Sequence, residues 1–139
     1  MKEIDWKKLK HDLETSKPVE IIPTGFEWLD ERLGGGLHAG SLLLVQAPSG
    51  QGKTSFLLSL AMNWIRAKES VLYISAGEQT AMEIYRRLTA MARGENYFEM
   101  VRDPDCDRHV SEWLEGTWPY VNVEYTEDAL ESKDGGKTN

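Results

Sequence analysis

Ala47-Pro48-Ser49-Gly50-Gln51-Gly52-Lys53-Thr54 decides how this chain is read. The stretch fits the phosphate-binding template G-x-x-x-x-G-K-[ST], with alanine at the first glycine position. Upstream, Ser41-Leu42-Leu43-Leu44-Val45-Gln46 is a short apolar run that reads as a fully buried strand. Downstream, residues 53–68 are apolar-periodic and predict a helix carrying Phe56, Leu57, Leu60, Ala61, Trp64 and Ile65 on its core face. Strand, loop and helix give the motif its physical sense. Loop amides and the positive end of the helix can receive the phosphates of a nucleotide. The candidate binding set is Ser49, Gly50, Gln51, Gly52, Lys53, Thr54 and Ser55. In it Lys53 reaches the terminal phosphates and the Thr54 hydroxyl ligates Mg²⁺. Gly50 and Gly52 allow backbone angles and a close approach that a side chain would forbid.

The totals set the frame. The 139 residues suffice for about one domain with a real core. Sixteen basic against 23 acidic residues give a net charge of −7, so no global attraction to nucleic acid or anionic membrane is expected. Cys106 is the lone cysteine, which excludes an internal disulfide and suits a reducing compartment. No apolar run has membrane-spanning length and the N-terminus lacks an apolar signal core, so the expected location is cytoplasmic.

Outward from the loop, Trp6, Leu9 and Leu13 form a narrow stripe at helical spacing in a terminal helix. Two readings stand for it: a helix lying on its own domain, or an arm that docks on a neighbouring subunit. Residues 1–20 are read as that helix and a linker, 21–131 as the main domain, and 132–139 as a disordered polar tail. Thr24 and Glu27 have capping-box spacing, predicting a helix over 25–33 with Phe26, Leu29 and Leu33 facing the core and Gly34-Gly35-Gly36 as its stop. His38 is read as a solvated loop residue.

Ser70-Val71-Leu72-Tyr73-Ile74-Ser75-Ala76 predicts a second buried strand, joined to the first by a right-handed βαβ crossover. Thr80 and Glu83 open a helix that Gly94 closes near Arg93, with Ile84, Leu88 and Met91 inside and Arg86 and Arg87 solvated or ion-paired. Asp103, Asp105 and Asp107 alternate like the start of a calcium loop, but Arg108 and Leu114 stand where its glycine and glutamate belong. Cys106 and His109 make no zinc set. A helix over 108–115, contacts from Trp113, Leu114 and Trp118, a strand over 120–125 and a first helical turn over 126–130 complete the reading.

Taken together, Ile22-Pro23-Thr24-Gly25-Phe26 with Leu29-Asp30, Gly35-Gly36-Leu37, the loop from Ala47 to Thr54, and Val71 to Glu78 resemble the RecA-like ATPases, most closely DnaB-type replicative helicases. In that family the loop also begins with alanine. Leu33-Gly34-Gly35-Gly36-Leu37 looks as much like RadA- or KaiC-type ATPases. The resemblance covers about 21–130. It implies a three-layer α/β fold with a mainly parallel sheet, truncated here before the Walker B strand. It implies ATP and Mg²⁺ as cofactors, and Glu78 with Lys53 as catalytic residues, Glu78 activating the attacking water. It further implies a homo-oligomeric ring held through the N-terminal helix, and movement on single-stranded DNA through regions outside this chain. Without an Mg²⁺-holding aspartate and a neighbour's arginine, the 139 residues alone are expected to hydrolyse ATP poorly. A RadA/KaiC-type ATPase and a non-hydrolysing ATP-binding interaction module are the alternatives.

Overall fold

A computed structural model describes residues 3–126. The expected turn over 126–130 and the tail over 132–139 lie, but for Thr126, outside them. The chain divides into two compact units, residues 1–44 and 45–139.

In the first unit α1 (Trp6–Thr15) starts at Asp5, whose side chain accepts from the Lys8 amide at 3.2 Å. It buries none of its residues. The short strands β1 (Ile21–Ile22) and β2 (Leu37–His38) pair antiparallel, Ile22 opposite Leu37. Between them runs α2 (Glu27–Leu33), closed by Gly34 in the left-handed conformation. The expected capping box fails here. Thr24 lies too far before the helix, and Phe26 occupies the N-cap position without a side-chain bond. Asp30 reaches back instead, accepting from the Thr24 amide (2.8 Å), the Thr24 hydroxyl (2.6 Å) and the Gly25 amide (3.2 Å). Thr24 is fully buried by this, whereas Phe26, Leu29 and Leu33 are only half-buried. Gly36 has φ +151°, and a Cβ there would meet the Ile22 carbonyl oxygen, so only glycine fits where β1 passes.

The predicted strand over 41–46 does not form. Leu42 and Leu44 are 93% and 73% exposed, the reverse of burial. An apolar run becomes a strand only when a neighbour supplies its ladder. Among the described residues none pairs with it, so the expected crossover from this strand is also absent.

The second unit is built around α4 (Ala81–Arg93), whose Thr80 hydroxyl accepts from the Glu83 amide and whose C-cap is Gly94 in the left-handed region. Ile84 and Leu88 of α4 pack with Leu58, Met62 and Ile65 of α3 (Lys53–Arg66) and with Val121 and Val123 of β4 (Val121–Thr126). Of the expected inward residues of α3, Leu60, Ala61 and Ile65 are buried and Phe56 and Trp64 half-buried, while Leu57 is exposed and Leu58 and Met62 are buried as well. The strand β3 (Val71–Ala76) pairs parallel with β4, Val71 opposite Val121 through Ala76 opposite Thr126. Only one face of this pair is covered. Tyr73 packs inward on the core, while Leu72 and Ile74 are 54% and 57% exposed, correcting the reading of a buried strand.

Between α4 and β4 stand α5 (Tyr97–Met100), which the sequence reading lacked, and α6 (Cys106–Thr117), two residues longer at each end than expected. Ala90, Met100 and buried Cys106 form a second cluster beside Tyr97. Trp113 and Leu114 do contribute to the main core; Trp118 is 66% exposed and does not. The architecture is α/β: a small parallel sheet backed by helices. No helix among the described residues is long and apolar enough to cross a membrane.

Candidate functional site

The loop before α3 is shaped by its glycines. Gly50 and Gly52 have φ of +78° and +90°, in the region that disfavours side chains, and a Cβ at either would meet open space. Their requirement is conformational, not steric. The Gln51 amide donates to the Pro48 carbonyl at 3.3 Å, tightening the turn. Gly52 is the N-cap of α3 and brings no side-chain acceptor; no acidic residue occupies the first turn. The Phe56 amide donates to the Gly52 carbonyl at 2.9 Å, so the amides of Lys53, Thr54 and Ser55 precede the helical ladder. Lys53 and Thr54 are half-buried; Ser49, Gly50, Gln51, Gly52 and Ser55 are exposed. Free donors, a lysine and no competing carboxylate fit a phosphate group at this helix end.

Glu78 lies in the exposed turn after β3. That turn is closed by Ser75, whose hydroxyl donates to the Gln79 carbonyl at 2.5 Å and accepts from the Gln79 amide at 3.3 Å. Burial, reinforced by the charge of Glu78, raises the Tyr73 phenol above its ordinary pKa, against the opposing charge of Arg87. Among the described residues no hydrogen bond or ion pair joins Glu78 to Lys53 or Thr54.

The other candidates are engaged elsewhere. Asp103 accepts from the Asp105 amide at 2.9 Å and faces His109 Nε2 at 3.4 Å. The bond from the Asp105 amide, helped by His109 and opposed by desolvation, holds Asp103 below its ordinary pKa. Asp105 binds Arg108, and Asp107 binds Arg86 at 3.0 Å. His38 is exposed. Arg87 is half-buried; among the described residues it has no ion pair, and its guanidinium lies 4.3 Å above the Tyr97 ring, a contact the expectation did not include. The nine residues between them, and the unexpected α5, hide this contact from sequence reasoning.

Residues 21–110 match the family described as the DnaB-like helicase C terminal domain. The chain is 36% identical over 87 residues to the DNA repair protein RadA of Mycobacterium tuberculosis (strain CDC 1551 / Oshkosh), covering 63% of this chain and 18% of that protein. To RadA of Aquifex aeolicus it is 40% identical over 83 residues, covering 60% and 16%. To the RecA protein of Streptomyces coelicolor it is 35% identical over 75 residues, covering 53% and 20%. The chain thus spans a fifth or less of the length of these relatives. The family match covers well over half of the chain, and these relatives are RecA-like ATPases. The chain belongs to the DnaB-like helicase C-terminal domain family, within the RecA-fold ATPases.

Proposed function

We propose that residues 49–55 bind the phosphates of ATP, and that this chain is the nucleotide-binding portion of a DnaB-like helicase. The observation that carries the reading is the uncapped start of α3, preceded by two left-handed glycines and opened by Lys53 and Thr54. Amides of the loop hold the phosphate oxygens, Lys53 neutralises their charge, and the Thr54 hydroxyl takes a place in the Mg²⁺ shell. Mg²⁺ held there by Thr54 would supply charge neutralisation for the transferred phosphoryl group and the departing ADP. Glu78 is the general base. Its carboxylate accepts a proton from water as the water oxygen bonds to the terminal phosphorus and the bond to the bridging oxygen breaks, giving ADP and phosphate.

The ATPase portion is taken as residues 21–131, after a linker helix and linker over 1–20, in a cytoplasmic protein. In the oligomer, α1 contacts a neighbouring copy, and turnover drives movement along single-stranded DNA. Turnover by a single isolated copy is slow, because the arginine that a neighbouring copy would supply is then missing. The RadA and RecA relatives favour a second reading, a DNA-repair ATPase of the same fold.

Calorimetric titration with Mg-ATP tests the site. Saturable binding is expected in the wild type, weakened at least tenfold in Lys53→Ala and little changed in Glu78→Gln. A folded wild type that takes up no nucleotide, or a Lys53→Ala chain that binds equally well, overturns the assignment.

A further inference from the structure

Beside the first turn of α3, and sharing Ser55 with the loop site, α3, α4 and α5 line an open cavity of about 210 Å³, with Ser55 and Ser59 on one side and Arg87, Glu95 and Tyr97 on the other. Leu58, Ala90 and Met91 supply its apolar wall. Arg87 is the unusual group. Its Nε is buried and has no acceptor. A buried donor left unsatisfied costs on the order of 1–3 kcal/mol, more on a charged group. The Tyr97 ring, 4.3 Å from the guanidinium carbon, attracts the positive charge through its face. A ring face does not satisfy in-plane N–H donors, and the two terminal nitrogens, which unlike Nε are not sealed from solvent, form the fork that suits the two oxygens of an anion.

The nearest charges leave that fork available. Arg86, the preceding residue, also has a buried, unpaired Nε, but its Nη2 is held by Asp107 at 3.0 Å. Glu95 lines the cavity, yet its carboxylate already accepts two bonds from Arg93, Nη2 at 2.8 Å and Nε at 3.1 Å. Ser59 donates to the Ser55 carbonyl at 2.8 Å, keeping one hydroxyl oriented along α3. Among the described residues no other carboxylate lines the pocket.

We propose that this cavity is a second anion site, in which Arg87 grips a small oxyanion, phosphate or carboxylate, over the platform of Tyr97. A 210 Å³ space has room for such a group together with the water around it. Its wall includes Ser55, the residue after Thr54, so an occupant contacts the same helix turn that begins the loop site. The proposal stands on Arg87 and Tyr97 alone and does not require the loop to bind nucleotide.

The test uses the full chain with Lys53→Ala, which weakens the loop site, titrated separately with inorganic phosphate and with acetate while the Tyr97 ring and Arg87 Nε–H signals are followed by NMR. Saturable shifts at both groups are expected, and which anion gives the tighter curve identifies the ligand class. Adding Arg87→Gln should abolish the shifts at Tyr97; adding Arg87→Lys, which keeps the charge but not the fork, should weaken binding about tenfold or more. The proposal is overturned if neither anion gives a saturable response at these groups, or if the response at Tyr97 persists in a folded Arg87→Gln chain. Loss of the loop site alone leaves the Arg87 signals as the deciding readout.

Discussion

Asp30 shows how one carboxylate can do the work expected of a helix cap. It gathers the Thr24 amide, the Thr24 hydroxyl and the Gly25 amide, and so fixes the chain between β1 and α2. Desolvation works to raise its pKa, but those three hydrogen bonds outweigh it and hold the carboxyl below its ordinary value. The sign of the linkage follows. A depressed folded pKa contributes stability above the unfolded value, near 4, and that stability is lost as pH falls through the folded one. Asp30→Asn is therefore expected to cost about 1 kcal/mol at neutral pH, the side chain being only half-buried. The gap to the wild type should shrink as pH falls below the ordinary carboxylate value, about 4. Denaturant melts of both proteins from neutral pH down through that value check it, and a gap independent of pH would refute the role of the charge.

Among the elements, α4 organises the second unit, and its partners include a strand edge. Beyond the ladder that joins β4 to β3, the Val123 amide donates to the Tyr85 hydroxyl at 3.0 Å. Tyr85→Phe removes the acceptor and leaves that N–H short of a partner, a loss of about 1 kcal/mol or more. Faster amide exchange at Val123 and a lower denaturant midpoint are expected; unchanged exchange would mean that water replaces the hydroxyl without penalty. The helices were legible because their signals are local. Thr80 and Gly94 bracket α4, and the periodic run after Gly52 marks α3. The helix α5 carried a signal too, since Asn96 accepts from the Phe98 and Glu99 amides, an asparagine cap with an acid three residues on. The run over 41–46 was misread because its apolar residues match a buried strand by composition, while strand formation depends on a partner elsewhere in the chain. For the same reason the loop glycines could be read from spacing, whereas Arg87 over Tyr97 could not.

For the molecule as a whole, the unpacked stripe of α1 bears on assembly. Trp6, Leu9 and Leu13 are 70%, 39% and 67% exposed, and their helix buries nothing. Covering three such side chains yields roughly 1.5–3 kcal/mol each. Association costs about 4–15 kcal/mol of lost freedom before any contact is rewarded. Contact through α1 alone is therefore expected to be weak and reversible, with a dissociation constant of about 10 µM or higher, equivalent to roughly −7 kcal/mol or less in magnitude. A tighter ring needs further surface to be buried with it. Sedimentation velocity over a rising concentration series should show weight-average mass climbing for the wild type. The pair Trp6→Ala and Leu13→Glu should hold it at one chain, with the circular dichroism of the α3–α4 core unchanged. A wild type that stays monomeric throughout, or a double variant that associates as readily, would take α1 out of the assembly and leave its stripe to some other contact.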